Sequence, residues 1–220
     1  MFRQIKQHRL YFALVWLTLA VGIILHLLFT KTTCFVWLNA FHTPSLDFFF
    51  ALFTFLGDGI FALSVIPLLF LFADRKKAIS LLFAFLTSAC LAQVLKRIFQ
   101  QPRPKLYFEE TAFQYLHYVN HITLHSSYSF PSGHTTSAFA LATILVLSFK
   151  KMRLAVPCFL FAVLVGYSRI YLAQHFLLDV LVGAAIGTLC GLWGYYVVVD
   201  LQAFGSFKKK TVTKPATLWT

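Results

Sequence analysis

The chain is organised around the octet Phe130-Pro131-Ser132-Gly133-His134-Thr135-Thr136-Ser137, which lies between a histidine-rich polar segment and a long apolar run. Because proline lacks an N–H and suits the first turn of a helix, Pro131 predicts a helix that begins here. The N-terminus of this helix would present the Ser132 hydroxyl, the Gly133 amide and the His134 imidazole. Helix N-termini bind anions, although a Pro-Ser-Gly sequence taken alone is more often a simple helix cap.

The composition around this octet predicts an integral membrane protein. Of the 220 residues, 59% are hydrophobic and only 12% are charged, whereas about a quarter are charged in soluble proteins. The formal net charge of +12 is therefore expected to orient the chain in a bilayer, and no nucleic acid partner is expected. The four cysteines lack metal-site spacing and are expected to be small apolar residues, with no metal or disulfide framework.

Six apolar segments are expected to cross the membrane, so the predicted fold is an all-α bundle of six transmembrane helices over residues 1–200, followed by a short basic tail at 201–220. The predicted spans are 11–30, 46–73, 78–99, 131–149, 154–171 and 176–199. The first is interpreted as a retained span and not a removed signal peptide. Gly57-Asp58-Gly59 predicts a break in the second, with 48–56 along the interface and Asp58 as a helix cap or a support for the site.

The distribution of Lys and Arg predicts the orientation of these spans. An even number of spans places both termini on one side, and 13 of the 19 Lys and Arg residues fall there, against six on the other side. The positive-inside rule then makes both termini cytoplasmic in a bacterial-type inner membrane. The octet and the polar connection 100–130 are expected on the outer face. A short amphipathic surface helix is expected at 108–119.

Three separated groups of polar residues converge on this outer face. The first is Lys96 with Arg103, the second is Ser132-Gly133-His134, and the third is Ser168-Arg169 followed by His175 and Asp179. An acidic residue one turn inside a span needs a partner, and His175 is four residues before Asp179 on the same helix face. Snorkelling cations for Lys96 and Arg169, and a structural hydrogen bond for His175, are the alternative readings.

The residue types favour phosphoryl chemistry. A carboxylate that holds one ring nitrogen of His175 leaves the other free as a base or nucleophile. The cations and the amides near Ser132 would stabilise the anionic oxygens of a phosphoryl group. His134, on another element, would protonate the leaving group.

These residues, in this order from Lys96 to Asp179, resemble the three-part motif of the type 2 phosphatidic acid phosphatase superfamily, which also includes vanadium-dependent haloperoxidases and glucose-6-phosphatase. The resemblance implies a metal-independent phosphatase, without a cofactor, that forms a phosphohistidine intermediate. His175 would be the nucleophile, Asp179 its orienting carboxylate and His134 the general acid. The implied phosphate-binding groups are Lys96, Arg103, Ser132, Gly133 and Arg169.

The expected function is the hydrolysis of a membrane lipid phosphate or diphosphate at the outer face. Undecaprenyl diphosphate is the first expected substrate, with phosphatidylglycerol phosphate, phosphatidic acid and lipid A phosphate as alternatives. A vanadate haloperoxidase and a non-enzymatic lipid-phosphate binding or transport protein are the rival functions. His117, His121 and His125 recur every four residues, as in some metal sites, but are expected to be solvated loop side chains.

Overall fold

The described part of the chain is helical. The computed structural model describes residues 2–111, 117–119, 122–149 and 152–200, so the tail expected at 201–220 lies outside the described residues. The α-helices in this part are α1 (Phe2–Gln7), α2 (Arg9–Leu28), α3 (Lys31–Leu38), α4 (Pro44–Phe53), α5 (Gly59–Phe72), α6 (Arg75–Phe99), α7 (Pro104–Glu109), α8 (Gly133–Ser148), α9 (Ala155–Tyr171) and α10 (Leu177–Tyr195). Short 3-10 segments follow α4 and precede α9, and a π-helical turn, Tyr196–Asp200, follows α10.

Several of these helices are long and apolar enough to cross a membrane. Among the described residues, α2, α6 and the helix that begins at Leu177 meet that condition, and α4 with α5 make a fourth span if the bent pair is one crossing. The apolar helices α8 and α9 are shorter, with 16 and 17 residues. The protein is thus an all-α, multi-pass membrane protein. By length and composition alone, three or four helices of the described residues could be spans, and the six expected spans stay a prediction.

The break predicted inside the second apolar stretch is present. The α4–α5 pair is bent by 56°, and Asp58 caps α5 because its Oδ1 accepts a hydrogen bond from the amide of Ile60 at 2.9 Å. A Cβ at Gly57 would lie 3.1 Å from the Cβ of His134 and would overlap Val165. The glycine therefore lets the bend press against α8 and α9.

The core of the bundle is α8, which packs against α6, α9 and α10. Most of its side chains are buried, and α10 approaches it closely along Gly183, Gly187 and Gly191. A Cβ at Gly183 would lie 2.7 Å from the carbonyl oxygen of Ser132. The close approach therefore places the start of α8, with Ser132 and His134, against the start of α10, with Asp179.

Two local predictions need correction. Pro131 is not in the first turn of a helix: Ser132 is the N-cap, α8 begins at Gly133, and the Phe130–Pro131 peptide bond, before the cap, is cis. The helix that the structure describes in the polar connection is α7. Of the helix expected at 108–119, residues 110–111 and 117–119 are not helical, and 112–116 lie outside the described residues. Pro104 explains the shift because proline favours a first helical turn and keeps the preceding residue, Arg103, extended.

Candidate active site

Asp179 holds His175 in a fixed position. Oδ2 of Asp179 lies 3.5 Å from Nδ1 of His175 and accepts hydrogen bonds from the Ser129 hydroxyl at 2.5 Å and from the Phe176 amide at 2.9 Å. Both ionisable side chains are almost completely buried. The contacts that the described residues make with the His175 ring are at Nδ1, so Nε2 is the nitrogen left for a substrate.

The surroundings of His175 keep its ring neutral. His175 lies in the connection between α9 and α10, and burial is the main cause that lowers its pKa below the ordinary value. The hydrogen bond that the His175 ring donates to Asp179 raises the pKa, while the charges of Arg103 and Arg169 lower it further. The net lowering leaves an unprotonated nitrogen at neutral pH, as a nucleophile requires.

Three cations from different elements converge near this pair. Lys96, at the end of α6, donates to the carbonyl of Tyr128 at 2.5 Å. Arg103 follows the break after α6 and donates through Nε to the carbonyl of Ser127 at 3.0 Å. Both cations therefore bind carbonyl groups of the same loop, at neighbouring residues.

Arg169 is the most deeply placed of the three cations. Its Nη1 donates to the hydroxyl of Thr54 at 2.5 Å, and its buried Nε has no partner among the described residues. The described residues place no carboxylate within 4.0 Å of Lys96, Arg103 or Arg169. Buried cations without a paired anion are costly, so this arrangement suits an anionic ligand.

The N-terminus of α8 faces the same region. The buried Ser132 hydroxyl accepts from the Thr135 hydroxyl at 2.9 Å and from its amide at 3.4 Å. A Cβ at Gly133 would meet nothing within 4 Å, so the backbone there is accessible. His134, next in the helix, is close enough to Arg169 and His175 for their charges to interact. A cavity of about 210 Å³ is lined by Lys96, Gly133 and His134, among others.

The structure thus brings the eight residues expected from sequence into one region, but three partners were missed. Ser129 contacts Asp179, Thr54 contacts Arg169, and Gln174 accepts from Nη1 of Arg103 at 2.8 Å. Uncharged polar residues are common in loops and near helix ends, so nothing in the sequence marks these three as partners of charged residues. Gln174 has only its position beside His175 to single it out.

The three loop histidines do not form a common cluster in the described residues. His117 lies beside Asp47 and His42, His125 is exposed, and His121 lies outside the described residues. His117 is exposed, as expected, but the four-residue spacing did not predict that it lies beside Asp47 and His42.

Comparison with known proteins identifies the family. The family model described as PAP2 superfamily matches residues 77–203, more than half of the chain, and the chain belongs to this superfamily.

Relatives agree with this assignment. A "Lipid A 4'-phosphatase" of Porphyromonas gingivalis is 29% identical over 176 residues, which cover 78% of this chain and 74% of the relative. The crystal structure of Aquifex aeolicus LpxE superposes with a TM-score of 0.65 at 37% identity, covering 73% of this chain and 91% of that one. The transmembrane PAP2 type phosphatidylglycerolphosphate phosphatase of Bacillus subtilis superposes with a TM-score of 0.59 at 25% identity, covering 93% and 98%.

Proposed function

We propose that this protein is a six-span lipid phosphatase of a bacterial-type cytoplasmic membrane that releases inorganic phosphate at the outer face. The observation that carries the proposal is the set of three cations without a carboxylate partner around the His175–Asp179 pair. A protein that only bound an anion would need no more than these cations. A buried, neutral histidine oriented by a carboxylate, with a second histidine nearby, is what phosphoryl transfer needs in addition.

In the proposed mechanism, Nε2 of His175 attacks the phosphorus atom and forms a P–N bond as the bond to the lipid oxygen breaks. His134 gives its proton to the departing oxygen. Water then attacks the phosphohistidine, His134 takes a proton from that water, and phosphate leaves with the His175 nitrogen restored. Asp179 stabilises the charge that develops on the ring.

Lys96, Arg103 and Arg169 neutralise the phosphoryl oxygens during both steps, with the Ser132 hydroxyl and the Gly133 amide as further proposed contacts. Their three positive charges supply the stabilisation for which other phosphatases use metal ions. We therefore propose a metal-independent reaction.

A second cavity supports a lipid substrate. This cavity has a volume of about 300 Å³ and reaches Asp179, and its lining is predominantly apolar, including Phe99, Phe130 and Leu178. The part of a lipid next to its phosphate fits such a lining. The likeness to a lipid A 4'-phosphatase makes lipid A phosphate the first substrate to test. Undecaprenyl diphosphate, the first expectation from sequence, phosphatidylglycerol phosphate and phosphatidic acid complete the panel.

The decisive experiment measures phosphate release from this panel by purified protein in the presence of a chelator. We expect His175→Ala to abolish release from every lipid, because no other residue forms the covalent intermediate. Lys76→Ala is the control, since this exposed lysine lies at the opposite end of α6 from Lys96, and should keep wild-type turnover. Turnover by His175→Ala would contradict the mechanism. Lipid binding by the wild type without release would favour a binding protein, and halide oxidation with added vanadate would favour a haloperoxidase.

A further inference from the structure

A second cluster of polar side chains lies apart from the residues proposed to bind phosphate. His42 and Asp47 flank the N-terminus of α4, and His117 comes from the polar connection. One ligand atom from each of the three side chains can be chosen so that all lie within 4.8 Å of one another. None of these three residues has a part in the proposed phosphoryl transfer.

The hydrogen bonds of His42 determine which of its nitrogens carries the proton. Nε2 of His42 faces two oxygens of Asn39, the carbonyl at 2.9 Å and Oδ1 at 3.1 Å. The amide orientation of Asn39 is set by Nδ2, which donates to the carbonyls of Ile170 and Tyr171 at 2.6 and 2.8 Å. Because both oxygens facing Nε2 are acceptors, Nε2 carries the hydrogen. In its neutral form the His42 ring therefore presents the lone pair of Nδ1.

This lone pair is directed at a carboxylate. Nδ1 of His42 lies 3.3 Å from Oδ1 of Asp47, and two electron-pair donors repel unless a proton or a metal ion lies between them. The arrangement of His42 matches that of metal-ligating histidines, in which the second ring nitrogen donates to a carbonyl. Asp47 is oriented in the same way, because the Tyr171 hydroxyl donates to its Oδ1 at 2.5 Å.

His117 completes the cluster from the opposite side. Its Nε2 lies 3.6 Å from Oδ2 of Asp47, and its ring centroid lies 3.8 Å from that of His42. Ligands bound tetrahedrally at about 2.1 Å lie about 3.4 Å apart. The two nitrogen–oxygen distances are close to this separation, although they join different oxygens of Asp47. Ligand atoms chosen one per residue lie within 4.8 Å of one another, so a bound ion would draw them closer. The His117 side chain is 45% exposed and is free to adjust.

We propose that His42, Asp47 and His117 bind a divalent transition-metal ion, with water as the remaining ligand. Two imidazole nitrogens and one carboxylate oxygen suit Zn²⁺ and its neighbours in the first row better than Ca²⁺ or Mg²⁺, which prefer oxygen ligands alone. The ion has a structural role. It ties the polar connection to the start of α4 and, through Asn39 and Tyr171, to the end of α9.

The test uses the full-length protein with a tag free of histidine, stripped with a chelator and dialysed against Zn²⁺ alone. We expect one Zn²⁺ per chain for the wild type, and an affinity more than about 100-fold lower for His117→Ala, since even the partners of ligands are worth 10- to 100-fold. His125→Ala is the matched control and should bind as the wild type does. In melting experiments, Zn²⁺ at about 100 times its dissociation constant should raise the wild-type midpoint by about 5 °C and leave that of His117→Ala unchanged.

Asp47→Asn is a second variant, nearly identical in shape, and should also lose the ion if His117→Ala does not fold. Substitution by Co²⁺ should give the visible absorption of a four-coordinate site in the wild type only. A wild-type protein that binds no Zn²⁺, or a folded His117→Ala that binds it as tightly as the wild type, overturns the proposal. Phosphate release in chelator is measured separately, so loss of the metal site and failure of the phosphatase mechanism give different results.

Discussion

At the residue scale, Asp179 connects more of the site than any group described around it. Its Oδ2 contacts Ser129, the Phe176 amide and His175, and its backbone carbonyl accepts from the Ser132 amide at 3.0 Å. The carboxylate thus orients the proposed nucleophile, while its main chain fixes the N-cap of α8. A displacement of this residue would therefore disturb both His175 and the start of α8.

Ser129 tests the first of these connections. A hydrogen bond to a charged group contributes about 1.5–3 kcal/mol, so Ser129→Ala should lower kcat about 10- to 100-fold while leaving KM nearly unchanged. Ser127→Ala is the control, because its exposed side chain is removed while the carbonyl that accepts from Arg103 stays. A wild-type kcat for Ser129→Ala would show that the serine does not orient Asp179.

The pKa of His175 leads to a prediction about pH. A nucleophilic histidine must be unprotonated, and a lowered pKa keeps it so into the acid range. We therefore expect the acid limb of kcat against pH to lie below about 6.5, the ordinary histidine value. Asp179→Asn, which removes an influence that raises this pKa, should move the limb of its residual activity further down.

The pH profiles should be measured with a lipid monophosphate and with a lipid diphosphate, so that titration of the substrate is separated from that of the enzyme. An acid limb that lies at or above pH 6.5 with both lipids would contradict a buried, neutral His175.

The charged residues of the site were predictable from sequence and their partners were not. Lys96, Arg169 and Asp179 are conspicuous because a charge is costly in an apolar segment and needs a function or a partner. Thr54 and Gln174 carry no such cost in their own segments. Their contacts depend on how distant helices meet, which no local pattern contains.

At the scale of elements, the approach of α10 to α8 determines where the N-terminus of α8, proposed to bind phosphate, lies. The glycines at 183, 187 and 191 recur every four residues, so they line one face of α10. Helix existence was predictable from the apolar segments, and the observed α6, α9 and α10 lie close to the predicted ranges. The start of α8 and the position of α7 were not predictable, because proline is compatible both with the first turn of a helix and with the residues just before a helix.

Gly183→Ala tests this contact. In an isolated helix, alanine is more favourable than glycine by about 1 kcal/mol, but here its Cβ would lie 2.7 Å from the Ser132 carbonyl. We expect a net destabilisation of about 1–3 kcal/mol from overpacking, measured by thermal unfolding in detergent, with a parallel loss of phosphate release. Leu189→Ala, on an exposed part of α10, is the control. A stabilised, active Gly183→Ala would show that the two helices are free to separate.

At the scale of the whole molecule, the number of membrane crossings depends on the short helices. Burial explains why composition alone does not decide it: α8 is surrounded by other helices, so it needs neither the length nor the outward apolar surface of a lipid-facing span. The orientation of the spans is a separate prediction, which rests on the distribution of Lys and Arg.

Reporter fusions test the proposed topology. Alkaline phosphatase, which folds only outside the cytoplasm, should be active when fused after residue 111, and green fluorescent protein should fluoresce when fused after residue 200. A fusion at the α5–α6 turn, near Arg75, should also report the cytoplasm. The reverse pattern, or opposite sides for the fusions at the turn and at residue 200, would contradict six spans with both termini inside.

The length of α8 relates the chemistry to the thickness of the bilayer. Its 16 residues rise about 24 Å, whereas the hydrocarbon layer is about 30 Å thick. In the proposed orientation, with the C-terminal end of α8 at the inner boundary, its proposed phosphate-binding end lies several ångströms below the outer boundary. A headgroup must then descend, or the surrounding lipid must thin, before the phosphate reaches His175. In a thicker bilayer the headgroup has farther to descend, so the depth of the proposed site makes turnover depend on lipid chain length, separately from any recognition of the headgroup.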